Sequence, residues 1–133
     1  MQKRKFDTLL IDANHRNAKM VSVNEKLSEY YKLLDCEHID IASYRIGNKY
    51  FDFIYNDDGF TSSKNPTVLD VNNNPLLVGS ILICNSLETA EGIVESSLTS
   101  DDVKLIQKYL KAIKVNGKIT PVIKVNEELL ATF

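Results

Sequence analysis

Tryptophan is absent from this chain, and cysteine, histidine and proline are scarce: two, two and three among 133 residues. The four soft donors, His15, Cys36, His38 and Cys84, match no standard zinc-ligand spacing, which leaves no metal site to expect. Cys36 and Cys84 lie far apart in apolar, strand-like runs, so they read as reduced, buried thiols, not as a disulfide. His38 reads as half exposed on a strand. Five dispersed glycines build no phosphate-cradling loop. Only three arginines occur (Arg4, Arg16, Arg45), and a net charge of −2 removes the basic footprint of a general nucleic-acid binder. No apolar run approaches the ~18 residues of a membrane-spanning helix. The basic start Gln2-Lys3-Arg4-Lys5 leads into a polar strand-like segment, unlike a secretory signal. A soluble, cytoplasmic protein with no membrane partner is the expectation.

What is present is ordinary globular material: 44% hydrophobic and 26% charged residues, enough chain for one domain with one core. Residues 6–11 have strand composition and end in the turn cluster Asp12-Ala13-Asn14. Ser22-Val23-Asn24-Glu25 fits a capping box, and Leu27, Tyr30, Tyr31 and Leu34 follow at helical spacing, with Asp35 at or beyond the helix end. Residues 37–46 and 50–55 read as antiparallel strands joined at Gly47-Asn48, with Phe51, Phe53 and Tyr55 on one face and Asp52 on the other. Asn56-Asp57-Asp58-Gly59 closes the second strand as an acidic turn. Residues 61–66 and 70–75 read as loops around a short segment at 67–69. Residues 76–84 read as one central strand with a bulge at Gly79, and residues 85–95 as an acidic loop. Thr99-Ser100-Asp101-Asp102 caps a second helix whose apolar face is Val103, Ile106, Leu110 and Ile113. Val115-Asn116-Gly117-Lys118 marks a terminal hairpin, with Pro121 placing the second arm at an edge or interrupting it. This order predicts an α+β fold: one antiparallel sheet with two helices packed on it and a C-terminal hairpin extension.

Candidate chemistry is thin. Asp70-Val71-Asn72-Asn73-Asn74 opens like a calcium loop, but Pro75 stands where glycine is needed and Ile81 where a bidentate glutamate is needed. An Asn-rich turn explains it. Neither cysteine has a local base, and Gly-x-Ser-x-Gly is missing. Asp52, Asp57 and Asp58 form an acidic group only if they converge in a cleft. Lys104, Lys108 and Lys111 share a stripe suited to an anion, and Tyr30, Tyr31, Tyr44, Tyr50 and Tyr55 are able to stack on a base. The bland alternatives are a solvated helix face for the lysines and core packing for the tyrosines. The candidate binding set is Tyr30, Tyr31, Arg45, Tyr50, Lys104, Lys108 and Lys111, with no catalytic residue and no cofactor.

Several blocks together resemble a family of small proteins carried by phages, prophages and conjugative elements of Gram-positive bacteria. They are Leu27-Ser28-Glu29-Tyr30-Tyr31-Lys32-Leu33-Leu34 with Cys36-Glu37-His38-Ile39-Asp40-Ile41, then Ile46-Gly47-Asn48-Lys49-Tyr50-Phe51-Asp52-Phe53-Ile54 with Asn56-Asp57-Asp58-Gly59. Asn74-Pro75-Leu76-Leu77-Val78-Gly79-Ser80-Ile81-Leu82-Ile83 and Ser97-Leu98-Thr99-Ser100-Asp101-Asp102 complete the pattern. The resemblance spans residues 6–109 and leaves about 111–133 as an extension. It implies an α+β fold and a mobile-element origin, and it carries over no activity and no catalytic residues.

Accessory proteins of such elements often act by binding. The expected function is therefore a non-catalytic inhibitor of a bacterial defence system that occludes a protein effector in the host cytoplasm. A sponge for a nucleotide immune signal and a structural or regulatory phage protein are the alternatives. The tail Glu127-Glu128-Leu129-Leu130-Ala131-Thr132-Phe133 ends on apolar residues that a small monomer covers poorly, which points to a homo-oligomer. Truncation after Val125 is then expected to lower the mass read by light scattering, and an unchanged mass would refute a role for the tail.

Overall fold

A computed structural model describes residues 5–58, 65–115 and 117–126. Ten strands and two helices follow in the order β1 (Lys5–Asp12), β2 (Asn17–Asn24), α1 (Leu27–Leu34), β3 (Ile39–Ile46), β4 (Lys49–Asn56), β5 (Pro66–Leu69) and β6 (Pro75–Val78). Then come β7 (Ile81–Thr89), β8 (Gly92–Ser96), α2 (Ser100–Tyr109), β9 (Leu110–Val115) and β10 (Lys118–Lys124). The class is α+β as expected, but there are two sheets where one was expected. The first runs β2-β1-β7-β4-β3, all antiparallel, with β8 paired to the outer half of β7. The second runs β6-β5-β10-β9, and its β5–β10 contact is parallel.

Strand alternation divides the first sheet's side chains between two apolar clusters. Leu9, Ile11, Phe51, Phe53, Ile81 and Ile83 face the second sheet and α2, meeting Val68, Leu77, Ile106, Ile123 and Val125. Phe6, Leu10, Ile54, Leu82 and Cys84 face the other way, beneath Tyr30 and Leu34 of α1. The layers are thus α1, first sheet, then second sheet with α2.

The apolar run at 76–84 is not one strand. It is cut at Gly79-Ser80, where Gly79 takes φ +93 and the chain passes from the second sheet into the first. Thr67 Oγ1 donates to the Gly79 carbonyl (2.7 Å), and the Ala13 amide donates to Ser80 Oγ (2.9 Å). The part after the corner, residues 81–84, is central and buried on both faces, as such a run demands.

The capping box at Ser22 does not form. Ser22, Val23 and Asn24 belong to β2, a strand that the sequence reading missed, and α1 starts after Lys26 with no side-chain cap. Full burial of Val23 is worth about 1.5–3 kcal/mol, against about 1 kcal/mol for a cap, and the eight-residue ladder to β1 adds to it. Glu29 still reaches back, accepting from the Asn24 amide and its Nδ2, both at 3.0 Å. Asp35 ends the helix in the left-handed region, φ 51.

Other expectations also need correction. Residues 85–95 are not a loop: β7 continues to Thr89 and pairs with β8 as a hairpin. Proline-led segments at 66 and 75 are strands β5 and β6, and the Asn-rich turn between them is organised by buried Asp70. Its Oδ1 accepts from the amides of Asn72 and Asn74, both at 2.8 Å. α2 ends at Tyr109, so Leu110 and Ile113 are strand residues. The β9–β10 hairpin forms, yet β10 is flanked by β5 and β9 and is not an edge. Pro121 is tolerated because β5 pairs only with Ile123 and Lys124. Val122 and Ile123 are fully buried, so this hairpin is part of the core. Gln2, Lys3 and Arg4, Gly59, the loop at 61–64, Asn116 and the tail at 127–133 lie outside the described residues.

The Gly47-Asn48 turn forms as expected, and Gly47 sits against α2 with φ +63. A Cβ there would lie 2.9 Å from Leu105 Cδ1 and 3.2 Å from Tyr109 Cε2. Gly47→Ala is expected to cost about 1–3 kcal/mol from backbone strain alone. Thermal unfolding followed by circular dichroism should show a melting point lower by several degrees.

Candidate functional site

A highly connected polar group is Asp102, only 4% exposed at the start of α2. The Thr99-x-x-Asp102 spacing makes the expected capping box: Thr99 Oγ1 accepts from the Asp102 amide (3.2 Å), and Asp102 Oδ2 accepts from the Thr99 amide (2.8 Å). Two distant side chains complete the node. Lys49 Nζ from the start of β4 donates to Oδ1 (2.7 Å), and Asn85 Nδ2 from β7 donates to Oδ2 (2.6 Å). Lys49 also lies 5.2 Å from the Phe51 ring centroid. Burial alone would raise the Asp102 pKa, but the Lys49 bond, the Thr99 amide and the Asn85 amide outweigh it and hold the carboxyl at about 2. With both carboxylate oxygens engaged by three donors, the node is a structural clamp. Sequence reading found the cap and missed Lys49 and Asn85, because nothing local marks partners 53 and 17 residues away.

The seven candidate binding residues fall into separate groups. Tyr30 is buried in the α1 cluster, and Tyr31 is half-buried on the same helix. Arg45 and Tyr50 are cross-strand partners in the β3–β4 hairpin. Because Ile46 and Phe51 point to the α2 side, Arg45 and Tyr50 project from the α1 side. Arg45 Nη2 also donates to the Asn126 carbonyl (3.4 Å). Lys104 and Lys108 are exposed one turn apart on α2, and Lys111 is exposed on β9 and not on the helix. Tyr30, Tyr31 and Tyr50 therefore lie on the opposite side of the first sheet from Lys104, Lys108 and Lys111, while Tyr44 and Tyr55 pack on the α2 side. Tyr44 packs edge-on to Phe53 (5.2 Å), and the Tyr55 hydroxyl donates to Asp40 (3.4 Å), as packing residues do.

The acidic group does not converge. Asp52 sits in mid-β4 opposite Ser43 and Cys84, where burial raises its pKa. Asp57 and Asp58 are exposed in the following turn, more than about 15 Å further along at ~3.3 Å per residue. His38 Nδ1 lies 3.1 Å from Asp58 Oδ2, and His15 Nδ1 lies 2.8 Å from Asp12 Oδ2. His38 is exposed just ahead of β3, not half exposed on a strand. Cys84 is fully buried and Cys36 half-buried, both free thiols, and burial raises the Cys36 pKa.

Two hollows among the described residues bear on the candidate binding set. One of about 160 Å³ lies between β2 and α2 against Leu9, Met20, Val103 and Leu110. Another of about 420 Å³ lies beside α1, lined by Lys26, Ser28, Glu29, Lys32 and Leu33. Neither is lined by any of the seven candidate binding residues. Among the described residues no helix is long and apolar enough to cross a membrane. No family model, curated protein or solved structure matches the chain.

Asp102→Ala is expected to cost about 1–3 kcal/mol by stranding buried donors. Asp102→Asn tests the charge. A carboxyl held at about 2 when folded and near 3.8 when unfolded stabilises the fold above pH 4, and loses that contribution as pH falls from 4 toward 2. The stability gap between wild type and Asp102→Asn, measured by thermal unfolding across that range, should therefore close on acidification.

Proposed function

We propose that the chain is a binding protein of a phage or other mobile element that inhibits a bacterial defence system by occluding a protein effector. The mobile-element origin rests on the resemblance of the sequence blocks given above. The observation that carries the binding mode is the placement of the exposed candidates. Tyr50 and Arg45 lie on one side of the first sheet and Lys104, Lys108 and Lys111 on the other. Small-molecule sites gather a few convergent polar groups in a concave, mostly apolar cleft. Groups dispersed over two sides suit a macromolecular surface better. Large exposed apolar side chains, Ile93 (72%), Tyr50 (61%) and Leu87 (52%), supply the kind of contact on which protein interfaces draw.

One observation favours a second reading, a sponge for a nucleotide signal: the larger hollow beside α1 carries two lysines, Lys26 and Lys32. Calorimetry against cyclic dinucleotides and ADP-ribose derivatives separates the two readings, since heat of binding would favour the sponge and silence would eliminate it.

Expression of the chain in a defence-carrying host is expected to restore phage growth and to co-purify the defence effector. Growth unchanged in the presence of the chain, with no effector recovered, would overturn the proposal.

A further inference from the structure

Two hairpins carry opposite charge. Residues 86–95 of the β7–β8 hairpin include Glu88, Glu91 and Glu95 and no lysine or arginine. Residues 110–120, the β9–β10 hairpin, include Lys111, Lys114 and Lys118 and no aspartate or glutamate. Each also presents one of the two most exposed large apolar side chains among the described residues: Ile93 at 72% and Ile119 at 64%. The patterns correspond. Ile93 stands directly across the strands from Glu88, and Ile119 directly across from Lys114. Among the described residues each hairpin also has an open edge, since there β8 pairs only with β7 and β9 only with β10.

An open edge presents unpaired amides and carbonyls that a further strand is able to satisfy. Like charges facing each other across strands are unfavourable and opposite charges favourable. Two β8 edges bring glutamates together, and two β9 edges bring lysines together, so both like pairings are disfavoured. Of these pairings, only β8 against β9 joins carboxylates to ammonium groups. Both halves of this match are on the same chain.

We infer that the chain self-associates, with the acidic β7–β8 hairpin of one copy docked along the basic β9–β10 hairpin of another, edge β8 to edge β9. The contact is heterologous, so it closes into a ring or continues as an open assembly. It goes beyond the proposed inhibitory role and stands or falls separately from it.

The test is the mass of the full 15.0 kDa chain in sedimentation velocity over a concentration series. Wild type is expected to rise above one chain mass with concentration. Glu88→Lys with Glu91→Lys, and separately Lys111→Glu with Lys114→Glu, should each weaken association by on the order of 100-fold or more, since like-charge juxtaposition costs several kcal/mol. These are exposed positions, and mixing the two variants should restore a complex in which each supplies the other's complement. Restoration also shows that both variants are folded. A wild type that stays at one chain mass overturns the inference. So does association that survives both reversals, or a mixture that fails to associate. Loss of association on truncation after Val125, without sensitivity to the reversals, would move the contact to the tail and also overturn it.

Discussion

The corner at Gly79-Ser80 is the constraint on which the architecture depends. An apolar run long enough for one strand is turned there, so that β6 belongs to one sheet and β7 to another. Glycine permits the positive φ, and the neighbouring polar groups hold it. The Gly79 amide donates to the Asn65 carbonyl (2.9 Å), and Asn65 Nδ2 donates to the Ala13 carbonyl (3.1 Å), tying the corner to the β1–β2 turn. With the corner in place, β7 lies between β1 and β4, and the second sheet folds back over the face that carries Phe51 and Phe53. A straight strand would have left that face bare.

The remaining joints are polar ties across the same interface. Asp102 binds the start of α2 to β4 and β7 through Lys49 and Asn85. Asn126, just past β10, receives the Arg45 Nη2 bond and accepts the Gly47 amide at its Oδ1 (3.1 Å). Arg16 in the β1–β2 turn donates to Thr120 Oγ1 (3.2 Å) on β10. Each bond contributes modestly, about 1 kcal/mol net, but the Asn126 and Arg16 bonds tie the two sheets together and the Asp102 bonds tie α2 to the first sheet. This rigid inner frame leaves its charge on the periphery. The β7–β8 hairpin projects beyond the pairing with β1 and β4, and β9 forms the outer strand of the second sheet.

Much of this fold was legible because its chemistry is local. The Phe51/Phe53 alternation, the Gly47-Asn48 turn, the Thr99–Asp102 cap and the β9–β10 turn at Gly117 all depend on residues within a few positions of one another. β2 was hidden because the Ser22–Glu25 cap signature overlaps it, and the cap gives way once Val23 is buried against β1. The β7–β8 hairpin was hidden because Glu88, Glu91 and Glu95 made the segment look solvated. Its signal was the alternation around Ile93-Val94 and the two residues Ala90-Glu91 between Thr89 and Gly92. The candidate binding residues were chosen for type, and type says nothing of side. Tyr30 proved to be core and Lys111 to be strand.

The sequence by itself determined the class of fold, the turns, the second helix cap and the charge of each hairpin, because dihedral preference, capping and ionisation are properties of neighbouring residues. Only the tertiary structure decided that there are two sheets, that Tyr30, Tyr31 and Tyr50 lie on the opposite side from Lys104, Lys108 and Lys111, and that Asp102 finds Lys49 and Asn85. Those outcomes depend on which strands pair. That choice is made by burying apolar faces between segments distant in sequence, such as Leu9 and Ile83 or Phe53 and Ile83, where no local spacing carries the information.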